Sequence, residues 1–396
     1  MKFGGVYEHQ LPRPWSRDSE HKLFQNALEQ VELSDRIGLD YIWATEHHFL
    51  EEYAHSSAPE VFLGACSQRT KTARIGHGIV HMPPHINHPA RVAERIATLD
   101  LVSNGRCDFG FGAGATEAEL GGFYVPQEEK KDQMVEAARQ VVEMMVQEPY
   151  SGFQGKYFSM PARNVMPKPV QKPHPPLWMA CSNRTSIAQA ARLGVGALTF
   201  SFVDPGQARQ YVDLYYKTLE EECEPIGYEV NPQIAIACPF LCDRDDARAQ
   251  TLGMEAYGYF IYGLGHYSFF GEHEPGKSDI WDEFKNHPKP FSPPEGRLQD
   301  CVGSPERLRA QLREFEEVGI DQVICLSQAA KLPHELLCSS IELFGKEVLA
   351  EFKDRDQKNA GKQAERKARL NELCMKRRPA AEIPRTATII RAAGHH

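Results

Sequence analysis

The chain has 396 residues, 41% of them hydrophobic and 25% charged, so it can bury a large core in one barrel or in two domains. Its formal net charge of -9 argues against a general nucleic-acid binder, because such proteins carry clustered positive charge. No apolar run approaches the roughly 20 residues that cross a bilayer, and residues 1–5 read as a strand and not as a signal peptide. A soluble, cytoplasmic protein is therefore expected.

The spacing of the cysteines does not indicate a set of disulfide bonds. There are ten, scattered along the chain without a repeated C-x-x-C spacing. Several, such as Cys107, Cys238 and Cys325, fall inside apolar runs typical of strands, where a reduced thiol packs as a small hydrophobe. The sequence therefore predicts free thiols and neither a disulfide framework nor a zinc site.

Predicted strands and helices alternate along the chain. The apolar runs that predict strands are 2–7, 41–44, 73–80, 107–112, 177–180, 196–200, 233–238 and 322–326. The segments with helical spacing of apolar residues are 20–37, 59–67, 90–101, 127–147, 185–193, 205–222, 306–318 and 335–352. This rhythm indicates a parallel α/β sheet covered by helices, and eight units is the count of a (β/α)8 TIM barrel. A doubly wound sheet is the alternative.

Three stretches depart from the rhythm. Residues 150–160 predict a local hairpin, since glycines stand there among aromatic residues. Residues 243–300 are rich in Tyr, Phe and Trp and predict an insertion or lid, with an oligomer contact surface as the alternative. Residues 353–396 predict a charged C-terminal extension, either a solvated helix with a loose tail or an arm around a second subunit. The barrel domain is thus predicted to cover residues 1–352.

The strand at 41–44 delivers Glu46, His47 and His48 to its C-terminal end. In parallel α/β folds that end is where chemistry takes place. Histidine is the natural general base near neutral pH, and a neighbouring carboxylate can raise its basicity or orient it. The alternative is a structural pair of histidines at a strand end.

Two other patterns imitate known sites. Residues 110–115 fit the dinucleotide-binding pattern G-x-G-x-x-A, but they follow the fourth predicted strand, whereas the true motif usually follows the first. The motif also requires an acidic residue at the end of a strand about 20 residues later, and here those residues lie inside a long predicted helix. A nicotinamide Rossmann site is therefore disfavoured. His77, His81, His85 and His88 could bind a metal, yet prolines break the run and no carboxylate-rich partner set accompanies it. These histidines are predicted instead to line a pocket or a surface loop.

A candidate phosphate cradle lies at residues 180–185, between a predicted strand and a predicted helix. Free backbone N–H groups and the hydroxyls of Ser182 and Thr185 at a helix N-terminus can bind a phosphate, aided by the helix dipole. Plain N-capping by Ser182 or Asn183 is the alternative.

Together these stretches resemble the bacterial luciferase-like flavin monooxygenase family over roughly residues 1–345. The segments that carry the resemblance are 38–49, which contains Glu46-His47-His48-Phe49, and 75–80, 88–100, 103–106, 175–180, 302–306 and 319–321. Each segment is weak alone, whereas their order and spacing along the whole barrel are specific.

The resemblance implies a TIM barrel, usually dimeric, that binds reduced FMN (FMNH2) at its C-terminal mouth. It implies that O2 and the flavin form a C4a-peroxyflavin, which oxygenates a small substrate, and that a separate NAD(P)H-dependent flavin reductase supplies the FMNH2. A catalytic role is implied for His47, so His47→Ala is predicted to fold and bind flavin nearly normally while the decay of the peroxyflavin into product is impaired. Contacts to the flavin are implied for Glu46, Gly78, Ile79, Lys131, Ala180, Cys181, Ser182 and Thr185. The aromatic stretch at 257–291 favours an apolar or aromatic substrate.

One departure from the family pattern concerns the phosphate. The loop after the fourth strand often carries an arginine in the family, and this chain has Ala113 there. Phosphate binding would then depend on Lys131 and residues 180–185, with Arg184 able to compensate. The deazaflavin F420, which sister branches use, is therefore an alternative cofactor. The alternative functions are an F420-dependent dehydrogenase or reductase, a non-catalytic flavin-binding protein and a metal hydrolase.

Overall fold

A closed barrel of parallel strands forms the body of the protein. The computed structural model describes residues 1–200, 203–286 and 301–379. The eight barrel strands are β1 (Lys2–Tyr7), β2 (Tyr41–Ala44), β3 (Arg74–His77), β4 (Cys107–Phe111), β5 (Leu177–Cys181), β6 (Gly196–Thr199), β7 (Ile234–Pro239) and β8 (Gln322–Leu326). Each strand pairs with the next along the chain, and β8 closes on β1 with Gly4 opposite Ile324. The predicted TIM barrel is confirmed, and the doubly wound alternative is excluded.

Helices surround the barrel. They are α1 (Ser19–Ile37), α2 (Pro59–Arg69), α3 (Pro89–Val102), α4 (Glu117–Gly122), α5 (Lys130–Val146), α6 (Arg184–Arg192), α7 (Pro205–Glu222), α8 (Asp246–Gly265), α9 (Ile280–Asn286), α10 (Pro305–Glu317), α11 (His334–Phe344) and α12 (Ala350–Met375). Two π-helical turns, His266–Phe270 and Gly345–Leu349, extend α8 and join α11 to α12. The predicted hairpin is present, with Phe153–Gln154 antiparallel to Ser159–Met160. Leu241–Cys242 pairs with Val302–Gly303 in a small parallel sheet.

Local chemistry explains where several helices begin and end. Helix α7 starts with Asp204 as its N-cap and Pro205 at its first position, and α10 starts in the same way with Ser304 and Pro305. Helix α1 ends at Gly38, whose left-handed φ of 92° lets its N–H bond back to the last turn. These signals are readable in the sequence, which is why the predicted bounds of these helices are within one residue of the structure.

Two tryptophans fill the lower part of the barrel. Trp43 and Trp178 are fully buried and meet edge to face with ring centroids 5.4 Å apart. Glycines make room for them, since a Cβ at Gly76 would lie 2.3 Å from the Trp43 ring and one at Gly196 would lie 2.4 Å from the Trp178 ring. The indole N–H of Trp178 donates to the carboxylate of Asp108 at 2.8 Å. The barrel is therefore a packed core below its mouth.

The aromatic insertion lies at the C-terminal end of the barrel. Tyr257 of α8 accepts a hydrogen bond from the backbone N–H of Phe240, directly after β7, at 3.0 Å. Phe260 of α8 packs on Tyr53, which belongs to the loop after β2, with ring centroids 5.2 Å apart. Much of the predicted insertion is thus helical. Its residues 287–300 lie outside the described residues.

The charged C-terminal stretch forms helix α12, which packs on its own barrel. Phe352, Leu370 and Cys374 are buried in the core, and most of the intervening side chains are exposed. The helix begins at Ala350, so it crosses the predicted boundary at residue 352, and that domain boundary stays a prediction. Residues 380–396 lie outside the described residues.

The remaining sequence predictions concern thiols and membranes. All ten cysteines lie within the described residues, none of them forms a disulfide there, and nine of them are buried. Among the described residues no helix combines the length and apolarity that a membrane span needs.

Candidate active site

The loop after β2 is held rigidly at the barrel mouth. The backbone N–H of His47 donates to the carbonyl of Ser56 at 2.9 Å, and the hydroxyl of Ser56 donates to the carbonyl of Thr45 at 2.5 Å. These two bonds tie both ends of the loop together. The backbone that presents His47 is therefore fixed before any ligand binds.

His47 lies between two buried carboxylates. Its Nδ1 is 2.8 Å from Oε1 of Glu119, and its Nε2 is 3.3 Å from Oε2 of Glu8. The side chains of Glu119 and Glu8 are 0% and 4% exposed, and that of His47 is 11% exposed. We call these three residues the Glu8–His47–Glu119 cluster.

The cluster holds His47 in its charged form. Burial alone lowers the pKa of His47, but the carboxylates of Glu119 and Glu8 outweigh it, so the pKa lies well above its ordinary value of 6.5. The same pairing holds the pKa of Glu119 well below its ordinary range, although burial opposes this. The raised pKa favours the imidazolium form of His47, in which both ring N–H groups can donate to the two carboxylates. The sequence-based expectation that a neighbouring carboxylate can raise the basicity of His47 is consistent with this arrangement.

Neither carboxylate partner is identified by the sequence analysis. Glu8 directly follows β1, and Thr45 donates its hydroxyl to Oε2 of Glu8 at 2.6 Å. Glu119 completes a capping box in α4, where its Oε2 accepts from the backbone N–H and the hydroxyl of Thr116 at 3.2 and 2.9 Å. The pattern Thr-x-x-Glu is a readable signal for that box. Its second role, on His47, is visible only in the fold.

The side chain of His48 pairs with a different carboxylate, although its backbone N–H donates to Oε1 of Glu119 at 3.2 Å. Its Nε2 is 2.9 Å from Oε1 of Glu46, and Glu46 also accepts from the backbone N–H of His81 at 3.0 Å and from Nδ2 of Asn87 at 2.8 Å. Burial raises the pKa of Glu46, but the hydrogen bond from His48 and the nearby His81 lower it below its ordinary value. Glu46 is therefore engaged within the protein, and its implied contact to flavin stays a prediction.

The four histidines considered as metal ligands, His77, His81, His85 and His88, do not form a group of ligand atoms among the described residues. His77 and His81 are buried, whereas His85 and His88 are exposed, and Nδ1 of His88 caps α3 by accepting from Ala90. Potential ligand atoms lie within 4.8 Å of one another in two other groups, Glu46 with His48 and His81, and His47 with His81 and Glu119. In both groups the carboxylates are already hydrogen-bonded as described.

The barrel interior above the tryptophans is lined by small residues. Side chains alternate along a strand, so Ala180 of β5 faces the interior as Trp178 does. Gly78 directly follows β3, and a Cβ there would lie 3.3 Å from the carbonyl oxygen of Ala44. Ile79 lies against Gly112, where a Cβ would come within 2.4 Å of it. Flat surfaces without side chains fit a planar ring system such as a flavin. The implied flavin residues Ile79 and Ala180 both lie beside Gly112, and the third, Gly78, directly precedes Ile79.

The candidate phosphate segment includes a conventional helix cap. Asn183 is the N-cap of α6, and Oγ of Ser186 accepts from the backbone N–H of Ser182 at 3.1 Å. The alternative of N-capping by Asn183 is therefore present. The backbone N–H groups of Ser182, Asn183 and Ser186 already have hydrogen-bond acceptors within this segment. Ser182 and Thr185 are exposed. Both therefore remain candidates for phosphate binding.

The other implied cofactor residues have different surroundings. The thiol of Cys181 is buried and donates to the carbonyl of Met179 at 3.3 Å, so it packs within the wall. Lys131 is exposed in the first turn of α5. Arg184 donates to the side chain of Gln210 at 2.8 Å, so its guanidinium is engaged with α7. That contact argues against compensation by Arg184.

Comparisons with known proteins agree with this architecture. The oxygenase component of a flavin-dependent trigonelline monooxygenase from Acinetobacter baylyi is 25% identical over 340 residues, which cover 81% of this chain and 88% of that protein. Two uncharacterized proteins of Sinorhizobium fredii are 29% and 32% identical, and this chain spans about half of the length of each (49%).

Solved structures share the fold. Monooxygenase RslO1 from Streptomyces bottropensis superimposes with a TM-score of 0.73 at 24% identity, covering 89% of this chain and 100% of that one. The oxygenating constituent of 3,6-diketocamphane monooxygenase from Pseudomonas putida, in complex with FMN, gives 0.69 at 18% identity, covering 88% and 98%. An F420-dependent secondary alcohol dehydrogenase gives 0.66 at 20% identity, with the same coverage.

The family assignment follows from the match to the sequence family itself. The family model described as luciferase-like monooxygenase matches residues 1–322, which include every barrel strand from β1 to β7 and the start of β8. The resemblance found in the sequence is thereby confirmed. This chain belongs to the luciferase-like monooxygenase family, a family of oxidoreductases.

Proposed function

We propose that this chain is the oxygenase component of a two-component flavin-dependent monooxygenase. It takes FMNH2 from a separate NAD(P)H-dependent reductase in the cytoplasm and uses O2 to oxygenate a small apolar or aromatic molecule. The buried Glu8–His47–Glu119 cluster at the mouth of a barrel of this family carries the proposal. The trigonelline relative, itself an oxygenase component, supports the two-component arrangement. When bound, the reduced flavin would supply the two electrons for the reaction with O2.

The role of His47 is to hold and move a proton at the mouth. As an imidazolium it offers a proton to negative charge that develops on a bound reactant. Its Nε2 contact with Glu8, at 3.3 Å, is longer than its Nδ1 contact with Glu119, so the Nε2 proton is held less tightly. Glu119 meanwhile orients the ring. Such positioned proton transfer contributes about a hundredfold to ten-thousandfold in rate.

The aromatic helices supply the apolar surroundings. Tyr257 and Phe260 of α8 are buried in one apolar cluster with Tyr53 of the loop after β2, and Tyr259 of α8 packs on Phe284 of α9 with ring centroids 5.5 Å apart. Excluding water from the mouth protects reactive flavin species and favours an apolar substrate. This segment is therefore the proposed lid and substrate wall.

The phosphate assignment makes a binding prediction. The double variant Ser182→Ala with Thr185→Ala removes two exposed hydroxyls at the start of α6. It is expected to raise the Kd for FMN by about tenfold or more while leaving that for riboflavin within about twofold, because only FMN carries the phosphate. Fluorescence titration of both flavins measures the difference.

A cap variant is the control for this experiment. Asn183→Ala removes the N-cap of the same helix and is expected to cost about 1 kcal/mol of folding stability. If Asn183→Ala discriminates between FMN and riboflavin as strongly as the double variant does, the effect comes from helix fraying and the phosphate assignment is wrong.

We also infer that the chain forms a homodimer through α2 and α3. Apolar side chains are exposed there, with Val61 at 71% and Val102 at 45%, and Met166 beside them is 53% exposed. Gly64 adds a flat position, since a Cβ there would meet nothing within 4 Å. Charged side chains of both signs, among them Glu60, Arg91 and Glu94, line the same groove. Exposed apolar side chains beside charges of both signs suit a twofold symmetric contact with a second copy.

The dimer inference is tested by a charge placed in this face. Val61→Lys is expected to shift the protein from dimer to monomer at micromolar concentration, because the contact would bury two lysines without partners. Sedimentation velocity measures the change. Met254→Lys, at an exposed position of α8, is the control. A wild-type protein that sediments as a monomer would refute the inference.

Turnover with labelled oxygen tests the function itself. The purified protein is supplied with FMN, NADH and a flavin reductase, and apolar and aromatic compounds are screened under isotopically labelled O2. Incorporation of the label into product, dependent on both components, is expected. Oxidation of an alcohol with reduction of F420, without consumption of O2, would instead support the dehydrogenase alternative.

A further inference from the structure

A buried carboxylate joins the loop after β2 to the aromatic helices. Glu52 is completely buried. Its carboxylate accepts hydrogen bonds from the backbone N–H groups of Arg13 (2.8 Å), Ile280 (2.6 Å) and Trp281 (3.2 Å) and from the hydroxyl of Tyr259 (3.1 Å). Ile280 and Trp281 begin α9, where backbone N–H groups have no acceptor within the helix. The carboxylate of Glu52 supplies the acceptor for these two N–H groups.

Glu51 makes a parallel set of contacts. It accepts from Nη2 of Arg13 at 2.6 Å and from the backbone N–H of Gly276 at 2.7 Å, and it lies 3.3 Å from Nε2 of His273. Arg13 in turn donates from Nε to the carbonyl of Ser278 at 3.1 Å. We call Arg13, Glu51 and Glu52 the clasp, because they join the N-terminal loop, the loop after β2 and residues 273–281.

The same loop continues to the catalytic histidine. Tyr53, next to Glu52, packs edge to face on His47 with ring centroids 5.7 Å apart. On its other side Tyr53 meets Phe260 at 5.2 Å, and Gly263 leaves so little room that a Cβ there would lie 3.3 Å from it. Helix α8 therefore packs against one side of Tyr53, and the other side of Tyr53 packs against His47. A displacement of α8 would change the contact between Tyr53 and His47.

The clasp is needed because α9 is too short to be stable on its own. The helix has seven residues, fewer than an isolated helix requires. A second anchor is Trp281, whose ring packs against Tyr259 at 4.9 Å and under the ammonium of Lys331 at 4.4 Å. Phe284, near the other end of α9, packs on Tyr259 and Tyr262 of α8 with ring centroids 5.5 Å apart. Loss of the Glu52 contacts would therefore loosen the first turn of α9 and weaken its seat on α8.

We propose that Glu52 is a positioning residue for the reaction: through the clasp it seats α8 and α9 over the barrel mouth and holds Tyr53 against His47. This rests on the proposed function. In the productive reaction FMNH2, O2 and substrate give FMN, oxygenated substrate and water. Without a seated cover, FMNH2 and O2 give FMN and hydrogen peroxide, and both reactions balance without another reductant.

Amide hydrogen exchange tests the structural half of the proposal. In Glu52→Gln the amide group offers N–H where donors point, so exchange of residues 273–286 is expected to accelerate by about tenfold or more. Glu51→Gln, at a partly exposed position, should show a smaller change and is the variant to use if Glu52→Gln does not fold. Glu365→Gln, exposed on α12, is the matched control. Unchanged exchange in folded Glu52→Gln would overturn the clasp.

Coupling of flavin oxidation to product tests the functional half. Glu52→Gln is expected to lower the product formed per FMNH2 by about threefold or more, with a matching rise in hydrogen peroxide, while the Kd for FMNH2 stays within about twofold. Faster exchange with unchanged coupling would overturn the positioning role and leave the proposed function intact. A wild-type protein that oxygenates nothing would refute the proposed function, and the exchange result would then still decide whether the clasp seats α9.

Discussion

Replacing His47 with alanine is expected to lower turnover by about two to four orders of magnitude and also to destabilise the fold. The sequence alone predicts a variant that folds normally. In the structure, however, the imidazolium neutralises two buried carboxylates, Glu8 and Glu119, and its loss leaves them facing each other without a counter-charge. Breaking a buried pair of this kind typically costs about 3–5 kcal/mol. Single-turnover kinetics and urea unfolding measure the two effects.

A second substitution separates stability from catalysis. Adding Glu8→Gln to His47→Ala removes one of the stranded charges, so part of the lost unfolding free energy should return while turnover stays low. If His47→Ala alone unfolds at the same urea concentration as the wild type, the cluster is not the buried ion pair described, and His47 is uncharged in the folded protein.

Glu119→Gln is expected to move the alkaline limit of activity and stability to lower pH. Because the pKa of His47 in the folded protein is raised above 6.5, its charge contributes stability that is complete below about pH 6.5 and is lost as the pH rises through the folded value. Removing the nearer carboxylate should lower that pKa, because the charge of Glu119 is the largest of the effects that raise it. The alkaline limb of kcat, and the decline of stability above pH 6.5, should shift by the same amount.

Measurements at low pH complete this test. The pKa of Glu119 is lowered from 4.5, so its charge contributes stability above about pH 4.5 that is lost as the pH falls through the folded value. That contribution and the one at His47 are the same ion pair and count once. Glu117→Gln, exposed on the same helix, is the control. An alkaline limb that stays in place in Glu119→Gln would show that His47 does not set it.

Elements with strong periodicity were predictable from the sequence, and those without it were not. The bounds of β1, β2, β8 and α7 match the predicted ones, since each is an uninterrupted apolar run or amphipathic stretch with a clear start. Helix α8 was not predicted, because its many Tyr, Phe and Gly residues have low helix propensity and its burial comes from the barrel mouth.

The candidate site shows the same division. His47 could be identified because it follows a strand in a family-like stretch. Its partners could not, since residues 8, 47 and 119 meet only when the barrel closes. The pKa of His47 depends on that meeting, so the sequence could predict only that a neighbouring carboxylate can raise the basicity of this histidine or orient it. At Asn183 the sequence allowed both a cap and a cradle, and the hydrogen bonds to Ser186 establish the cap.

Anaerobic titration of the purified protein with FMNH2, and separately with reduced F420, followed by rapid mixing with oxygenated buffer, tests the central claim most directly. The proposed function predicts tight binding of FMNH2 and, after mixing, a long-lived absorbance band distinct from that of oxidised FMN. Preference for F420 with no such band would contradict it, place the chain among the F420-dependent oxidoreductases, and require the role of His47 to be rewritten as hydride-transfer chemistry.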